Sequence, residues 1–593
     1  MTLNPFKPFS SYLKPYRKKI ALGLTLLVGS QLASTAIPIF LQWAVDIAQT
    51  GYEATQVGDT IAMETALNEV IYYAVYIVLL AILSMLLQMG MRWALNSMAR
   101  YVEYDMRAAY FDHLLRLPPS FYNHMPTGDL MARATNDIQA IRMFLAFGVR
   151  MILTAALAFP LSLVVMATID WKLAIYAILP MPLLALVMNR VAAKINVGFR
   201  DIQEQFSTIS ARIQENLAGI RVVKAFVRRE QEIGVFKHLN EDYLQKNKIL
   251  INVQSLFYPF MFLISGASLL IVLWIGGGEI IRDEMTLGEF VAFNAYLTRL
   301  VFPMITLGWM IDRYQRGVAS MKRINAVLET KPEITNIPEA KKDVDIKGHI
   351  EFRHLHFDYD KTPILNDINL VIPAGSTLAV VGRVGAGKTT LANLIPRMIE
   401  PAKGDLLIDG IPIRTIDLPT LRAAIGFVQQ ETFLFSDTIF ENVAMGIENA
   451  TATEVSTASE ISQLSKDLSD FPDGLDTMMG ERGVTLSGGQ KQRAALARAV
   501  IRNPKILILD DAMASVDTHT EDEILDGLRK VMADRTTIII AHRISTVKDA
   551  DHIIVLDEGR IVEQGTHDTL IHLNGIYTEM YQQQQMRDEL GEM

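Results

Sequence analysis

The 593-residue sequence contains no cysteine, which excludes disulfide bonds and metal sites built on cysteine thiolates. It also has no basic tail, and lysine and arginine are outnumbered by aspartate and glutamate, 56 against 65, for a formal net charge of −9. Binding to nucleic acid ordinarily requires a concentrated basic surface, so nucleic acid is not expected as a partner. The chain is long enough for several domains, and its apolar residues are concentrated before about residue 312.

Six long apolar segments follow one another in the first half of the sequence. The predicted membrane spans are residues 20–47, 71–91, 151–169, 173–188, 253–275 and 290–311. The first segment follows a basic N-terminal stretch and is too long for the hydrophobic core of a signal peptide, so we interpret it as a retained span. The sequence therefore predicts a multi-pass protein embedded in a lipid bilayer.

Charge is unevenly distributed among the stretches that connect these spans. Residues 46–70, predicted to be a loop, contain acidic residues and no lysine or arginine, whereas basic residues recur through residues 92–150 and 190–248. By the positive-inside rule, both termini lie in the cytoplasm, at the cytoplasmic membrane. The two basic stretches are too long for simple connections, and we expect helices that extend well beyond the bilayer and fold back.

Span six carries polar and aromatic residues that could line a path for a substrate. These residues are Asn294, Tyr296 and Trp309. Plain packing between helices is the alternative interpretation for each of them.

The boundary between the two halves is predicted near residue 330. Residues 331–348 lose the apolar periodicity and contain prolines and mixed charges, which is typical of a linker. From Ile350 the pattern changes to short strands, so residues 349–593 are predicted to form a soluble α/β domain. The expected fold is an α-helical membrane domain (residues 1–330) of six transmembrane helices with long cytoplasmic extensions, followed by an α/β domain that contains a P-loop at residues 382–389.

The run of residues 382–389 reads GRVGAGKT and lies between an apolar strand and a helical run, the context that a P-loop requires. Gly385 and Gly387 allow the backbone N–H groups to close around a phosphate, Lys388 supplies a positive charge, and the Thr389 hydroxyl can bind Mg²⁺. A flexible glycine turn without function is the alternative interpretation. The residues predicted to bind ATP here are Gly382, Arg383, Val384, Gly385, Ala386, Gly387, Lys388, Thr389 and Thr390.

About a hundred residues later, residues 485–517 read TLSGGQKQRAALARAVIRNPKILILDDAMASVD. The segment LSGGQ is predicted to be a loop of small polar residues, followed by a helix over residues 491–500. Residues 506–509 are a short apolar run, typical of a buried parallel strand, and it ends in Asp510 and Asp511. A loop that can meet a phosphate and a strand that delivers carboxylates indicate phosphate and metal chemistry.

The P-loop, LSGGQ and the strand-end acid, in this order, resemble the ATP-binding cassette family, and the first half resembles the membrane domain of its exporters. The resemblance implies ATP and Mg²⁺ as cofactors, with Tyr359 stacked on adenine and with Thr389, Asp510 and Gln430 at the metal. The family usually has a proline before this glutamine. Here Gln429 takes that place, so the assignment of Gln430 has a one-residue alternative.

The resemblance also implies a histidine that meets the γ-phosphate. Residues 536–541 are predicted to form another buried strand, and His542 follows it at the spacing of this switch residue. The expected catalytic residues are therefore Asp511, His542 and Gln430. A lone histidine after a strand is otherwise an ordinary polar residue.

Further segments resemble the parts by which exporters couple the cassette to the membrane domain. Coupling helices are expected near residues 119–126 and 216–226, and the run of residues 480–483, GERG, resembles a loop that faces them. Solvated helical hairpins are the alternative interpretation of the first two segments.

In this family two cassettes pair head to tail, so the signature of one chain completes the ATP site of the other. The resemblance implies that Ser487, Gly488, Gly489 and Gln490 contact a partner's ATP, and that this half-transporter must dimerise.

The position after the strand-end aspartate ordinarily holds a catalytic glutamate, and here it holds Asp511. The next residues also depart from the usual SALD, reading Ala514-Ser515-Val516-Asp517. The chain is therefore expected to hydrolyse ATP slowly at its own site, and in this it resembles one subunit of the bacterial heterodimeric multidrug exporters. A heterodimer with a different half-transporter is favoured, and a homodimer with two slow sites is the alternative.

The resemblance implies an ATP-driven exporter, with amphipathic drugs as the first choice of substrate and lipids or lipid-linked molecules as the second. A non-pumping ATP-gated channel or sensor is the alternative from another class of function.

Overall fold

The computed structural model describes residues 9–359, 362–471, 473–480, 486–514 and 518–591. They form two compact units. The first unit contains the residues up to Leu115 and Pro126–Thr330. The second unit contains Arg116–Met125 and the residues from Lys331 onward.

Helices dominate the first 330 residues. They are α1 (Ser10–Leu13), α2 (Arg17–Val57), α3 (Thr60–Arg116), α4 (Pro119–His124), α5 (Thr127–Ala132), α6 (Ile138–Met143), α7 (Val149–Ile169), α8 (Trp171–Ile178), α9 (Met181–Ala218), α10 (Ile220–Ala225), α11 (Arg229–Ile281) and α12 (Leu287–Leu328). A 3₁₀ turn precedes α2 at Lys14–Tyr16, and π-helical segments at Arg133–Asp137 and Phe144–Gly148 flank α6.

Four helical stretches among the described residues are long and apolar enough to cross a membrane. They are Ser10–Val57, Thr60–Arg116, Thr127–Ile169 and Phe262–Ile281. The predicted fourth span is interrupted, because α8 ends at Ile178 and α9 begins at Met181 after Pro180. The predicted sixth span falls within α12. The count of six spans stays a prediction.

The prediction of a loop over residues 46–70 is wrong. Helix α2 continues to Val57 and α3 begins at Thr60, so that only a two-residue turn separates them. Gly58, at φ +76°, ends α2, and the Asp59 carboxylate accepts hydrogen bonds from the backbone N–H groups of Ile61 and Ala62. The polarity of this stretch marks a solvated helix end rather than irregular backbone.

Buried acids link α3 to α6, and the π-helical segment before α6 to α12. Glu103, 7% exposed, pairs with Arg107 at 2.9 Å and with Arg142 at 3.1 Å. Asp137, 8% exposed, accepts from Arg323 Nε at 2.8 Å. Charge-assisted contacts of this kind are strong, so they help to hold these helices together.

The two expected coupling segments each contain a short helix. Helix α4 lies in the first and belongs to the same compact unit as the C-terminal domain. Helix α10 follows Gly219 in the second. The predicted facing loop covers residues 480–483, of which residues 481–483 lie outside the described residues.

The C-terminal domain is an α/β fold with two sheets. Its strands are β1 (Ile350–Tyr359), β2 (Thr362–Ile372), β3 (Thr377–Gly382), β4 (Lys403–Ile408), β5 (Ile411–Pro412), β6 (Ile425–Val428), β7 (Ile506–Asp510), β8 (Thr536–Ile540), β9 (His552–Asp557) and β10 (Arg560–Gly565). The orders are β2-β1-β4-β5, with antiparallel pairing, and β10-β9-β3-β8-β7-β6, in which β9 to β6 are parallel.

The helices of this domain are α13 (Lys388–Leu394), α14 (Leu418–Ala423), α15 (Ile439–Ala444), α16 (Ala452–Ile461), α17 (Gly488–Val500), α18 (Thr518–Met532), α19 (Ile544–Val547), α20 (His567–His572) and α21 (Ile576–Gly591). Helices α13 and α14 pack on one face of the larger sheet and α17 to α21 on the other, while α15 and α16 form a separate cluster with α17. Alternate residues of β3 enter two cores: Leu378 and Val380 pack on one face, and Ala379 and Val381 on the other. A strand buried on both faces reads as a continuous apolar run, which is why the sequence revealed it.

Candidate functional site

The P-loop, the glutamine pair, Asp510, Asp511 and His542 lie at the carboxyl ends of neighbouring strands in the larger sheet. Strands β3, β8, β7 and β6 are parallel neighbours, with Val380 opposite Ile540, Asp510 opposite Ile540, and Val428 opposite Leu509. Because the carboxyl ends of parallel strands meet at the same edge, the segments that follow these strands share one crevice, the usual ligand position in such sheets.

Glycine geometry shapes the loop between β3 and α13. Gly385 and Gly387 have φ of +85° and +99°, which other residues adopt only with strain. At Gly382 an added Cβ would lie 2.1 Å from the Leu556 carbonyl oxygen, so no side chain fits there. The loop can therefore present its backbone N–H groups at the start of α13, as phosphate binding requires.

Lys388 closes this loop from within. Its side chain is buried, and Nζ donates to the carbonyl oxygens of Gly382 at 2.8 Å and Arg383 at 2.9 Å. Burial lowers the pKa of Lys388, while the charges of Asp510 and Asp511 act in the opposite direction. The ammonium is thus held at the centre of the loop, where it can meet a phosphate.

Asp510 is the buried acid that faces this cation. It is 1% exposed, and its Oδ2 atom has no hydrogen-bond partner among the described residues. Burial raises the pKa of Asp510, a hydrogen bond from the Thr389 side chain opposes this, and the Asp511 charge raises it further. An unpaired buried oxygen of this kind costs about 1–3 kcal/mol. Carboxylate and hydroxyl oxygens are the ligands Mg²⁺ prefers, so the residues present fit Mg²⁺-bound ATP.

Asp511 and His542 lie beside this pair. Asp511 adopts φ +48°, and its N–H donates to the Ile540 carbonyl at 2.9 Å. Its Oδ2 atom is 4.0 Å from His542 Nε2. Both residues line a cavity of about 230 Å³ together with Arg543. A non-glycine residue in the left-handed region is typical of functional sites.

The remaining predicted contacts lie at the periphery. Gln429 and Gln430 are both exposed directly after β6, so the one-residue alternative between them stays open. Tyr359 ends β1, is 38% exposed, and packs edge-on against Phe357 with ring centroids 4.7 Å apart. Its face is accessible for stacking, which remains a prediction.

The signature segment is helical from Gly488 onward, so the prediction of a loop holds only for Leu486 and Ser487, and the predicted helix start at residue 491 is wrong. Helix α17 begins at Gly488, with Ser487 as its N-cap. The Ser487 hydroxyl accepts from Gln490 N–H at 3.2 Å, and the Gln490 side chain accepts from Ser487 N–H at 3.0 Å. This capping box follows the S-x-x-Q pattern, a signal present in the sequence that the prediction missed.

Glu521 on α18 is a further residue that sequence reasoning missed. It is 3% exposed and accepts hydrogen bonds from Arg543 and from the Thr546 hydroxyl. It thereby fixes the chain directly after His542. An acid in a helix of mixed polarity gave no local signal of this role. Residues 515–517, the altered SALD segment, lie outside the described residues.

A glycine loop that surrounds a buried lysine, with a strand-end carboxylate opposite, defines a P-loop ATPase, and here the ATPase is joined to a helical membrane unit. Residues 20–304 match the family model for the ABC transporter transmembrane region, and residues 365–514 match the one for the ABC transporter. The chain belongs to the ABC transporter family and has the organisation of its exporters. Its ATPase activity is coupled to transport.

Named relatives share this organisation along nearly the whole chain. The probable multidrug resistance ABC transporter ATP-binding/permease protein YheI of Bacillus subtilis (strain 168) is 36% identical over 583 residues, 98% of this chain and 97% of the relative. The ATP-dependent lipid A-core flippase of Syntrophus aciditrophicus (strain SB) is 36% identical over 488 residues, which are 82% of this chain and 81% of the relative. The solved structure of a bacterial Atm1-family ABC exporter with ATP bound matches with a TM-score of 0.78 at 28% identity, covering 96% of this chain and 99% of that one.

Proposed function

We propose that this chain is one half of a heterodimeric exporter of amphipathic drugs in the cytoplasmic membrane, with its termini and cassette in the cytoplasm. The observation that carries the heterodimer is Asp511. It occupies the place of the catalytic carboxylate beside His542, on a side chain one methylene shorter than the glutamate of active cassettes.

The proposed mechanism assigns a separate task to each residue at the sheet edge. The P-loop N–H groups and Lys388 bind the nucleotide phosphates, while Thr389, Asp510 and Gln430 would hold Mg²⁺. Mg²⁺ held there would neutralise charge on the transferred phosphoryl group. His542 meets the γ-phosphate. Water attacks the γ-phosphorus, the bond from that phosphorus to the bridging oxygen breaks, and ADP leaves. Asp511 accepts the proton of the attacking water on its carboxylate.

The length of Asp511 limits this last task. The missing methylene removes about 1.5 Å of reach, and a misplacement of about 1 Å can cost on the order of 10²-fold in rate. The site is therefore suited to binding ATP and poorly suited to hydrolysing it. The intact signature at Ser487 would complete an active site whose P-loop and glutamate belong to the partner.

Transport follows from a difference in affinity between two states. ATP bound between two cassettes favours the closed pair, and this closure shifts the membrane domains toward the outward-facing state. A lipid or lipid-linked substrate is the second candidate, supported by the relative named as a lipid A-core flippase.

Hydrolysis by reconstituted subunits tests the heterodimer. Purified alone, the chain should show little ATPase activity, and Asp511→Glu should raise it because the carboxylate regains its reach. With the partner present, turnover should survive Asp511→Ala and be lost when the partner's glutamate is replaced. Robust hydrolysis by this chain alone would contradict the heterodimer.

Transport itself is tested in inverted membrane vesicles that contain both subunits. ATP should drive the accumulation of a fluorescent amphipathic dye above its equilibrium level. Equilibration without accumulation would indicate a channel, and the proposal of a pump would then be wrong.

A further inference from the structure

Pro38 interrupts the hydrogen bonding of α2 within the membrane unit. The residue lies inside the helix and is buried. Proline has no N–H, and its ring displaces the carbonyl four residues earlier, so the Ser34 carbonyl oxygen loses its partner within the helix. In a membrane, such a group needs another partner, such as a side chain of a neighbouring helix or an ordered water.

Helix α12 provides the donors. Arg299 Nη1 donates to the Ser34 carbonyl oxygen, and the Tyr296 hydroxyl donates to the Thr35 carbonyl oxygen. The two side chains lie on one face of α12 because they are three residues apart. Tyr296 is fully buried with Phe293 and Leu300, so the structure favours the packing interpretation of this residue. The Trp309 side chain lies outside the described part of the structure.

Arg299 places a permanent positive charge deep in the predicted sixth span. It lies twelve residues after Leu287, the start of α12, which corresponds to about 18 Å along the helix axis. Among the described residues, its guanidinium forms no ion pair with an acidic side chain. The Ser34 carbonyl uses one of five N–H donors, so most of the hydrogen-bonding capacity of this cation remains for another group.

The exposed side chains beside Arg299 differ in polarity from those of α3. Helix α3 exposes apolar side chains such as Val75, Leu79 and Ile82, which are 51%, 54% and 46% exposed, as expected for a lipid-facing surface. By contrast, Thr298 is exposed and Arg299 is half-buried on α12. Charged residues inside membrane spans ordinarily face a water-filled cavity and mark the pathway of a substrate.

We propose that Arg299 binds the anionic headgroup of the transported molecule and thereby selects amphipathic anions, with a carboxylate, sulfonate or phosphate on an apolar tail. The planar guanidinium is suited to such oxyanions, because it can donate two parallel hydrogen bonds to them. This inference rests on the proposed export function and narrows its substrate class.

Three fluorescent probes with the same nitrobenzoxadiazole-dodecanoyl tail test the inference. One carries taurine, a permanent sulfonate, the second a neutral methylamide, and the third a trimethylammonium group. Arg299→Gln keeps an N–H donor for the Ser34 carbonyl but removes the charge, and Arg299→Lys keeps the charge. Tyr296→Phe is the matched control, because it removes the neighbouring carbonyl contact without changing the charge.

Probe binding to the purified full-length chain is measured by fluorescence polarisation. Arg299→Gln should weaken binding of the sulfonate probe at least about tenfold, equivalent to about 1.4 kcal/mol, and leave the methylamide probe unchanged. Arg299→Lys should restore part of the loss, and Tyr296→Phe should not discriminate between the probes. An equal loss for all three probes, or no loss, would overturn the inference, because Arg299 would then be only a contact between helices.

Further arms identify the source of the anion and separate the two proposals. Competition by a short-chain anionic phospholipid, and not by its phosphocholine counterpart, would support a lipid headgroup, and competition by dodecyl sulfonate alone would support a drug-like anion. Competition by inorganic phosphate alone would overturn the amphipathic requirement.

If vesicles export the neutral and cationic probes but never the sulfonate probe, the inference about Arg299 fails and the export function stands. If no probe is exported while binding still depends on Arg299, the export function fails instead.

Discussion

The P-loop and the signature segment of this cassette satisfy their polar groups in different ways. Around the P-loop, two glycines adopt left-handed backbone, the Lys388 ammonium is buried against carbonyl oxygens, and Asp510 Oδ2 has no partner among the described residues. At the signature, Ser487 and Gln490 satisfy each other in a capping box. The first region is arranged around a ligand, whereas the second is complete without one.

This difference explains how one chain can serve two nucleotides. The P-loop holds the buried charges that a triphosphate and a metal can compensate. The signature contributes no charged side chain before Lys491 and presents only the first N–H groups of α17, where the helix dipole favours an anion. A segment of this kind can close over a nucleotide that is already held elsewhere, which is the task that the proposed dimer assigns to it.

The largest expected effect is that of Lys388→Ala on nucleotide binding. The substitution removes the buried cation of the P-loop, and charged hydrogen bonds of this kind contribute about 1.5–3 kcal/mol. ATP affinity, measured by calorimetry with Mg²⁺ on the purified chain, should fall roughly 10- to 100-fold.

The matched control for this prediction is Lys403→Ala, an exposed lysine on β4 of the same domain. ATP affinity should be unchanged there. If the Lys388 variant binds ATP as tightly as the parent, the role assigned to Lys388 is wrong.

Sequence alone could predict the P-loop side of this comparison because each part is local. Strand β7 is a short apolar run that ends in an acid, and the sheet order then brings Asp510 to the P-loop. The signature side was predicted less well. Serine and glycine favour loops and helix starts alike, so the small residues suggested a loop where the structure has the first turn of a helix.

Contacts between distant segments could not be predicted at all. Arg299 meets Ser34 across 265 residues of sequence, and only the interruption of α2 at Pro38 makes that carbonyl available. The prediction of a loop over residues 46–70 failed for another reason. Acidic residues marked the end of the membrane, but polarity does not distinguish a solvated helix from a loop.

A smaller effect is expected from Asp510→Asn, which should raise the free energy of unfolding of the nucleotide-free chain. Burial raises the pKa of Asp510, so its contribution to stability is present at low pH and lost as the pH rises through this raised value. At neutral pH the ionised side chain is therefore a cost, which asparagine avoids. The unpaired oxygen suggests about 1–3 kcal/mol, or a midpoint of unfolding higher by a few °C, about 2–4 °C per kcal/mol.

Thermal unfolding of the purified chain between pH 5 and pH 8 measures this gain. The advantage of Asp510→Asn should shrink toward the acidic end, where the parent carboxyl takes up a proton. With Mg²⁺ and ATP the order should reverse, because only the parent can hold the metal with this carboxylate. Asp405→Asn, at an exposed position on β4, is the control. It should leave the midpoint of unfolding unchanged, both without nucleotide and with Mg²⁺ and ATP. A variant less stable than the parent without nucleotide would show that Asp510 is satisfied by the protein itself.

The smallest effect is expected from Ser487→Ala at the signature. The substitution removes the hydroxyl that accepts from Gln490 N–H, and the loss of an N-cap costs about 1 kcal/mol. Since the cost is confined to the first turn of α17, hydrogen exchange of the Gln490 amide should become about fivefold faster, as that free energy implies. Ser456→Ala, at an exposed position within α16, removes no cap and should not accelerate exchange in its own helix.

Affinity for ADP at the chain's own P-loop should be retained in the Ser487→Ala variant, because Ser487 is assigned to the partner's nucleotide. A fall in ADP affinity together with faster exchange would mean that the P-loop and the signature act on one nucleotide. The two regions would then not serve different nucleotides.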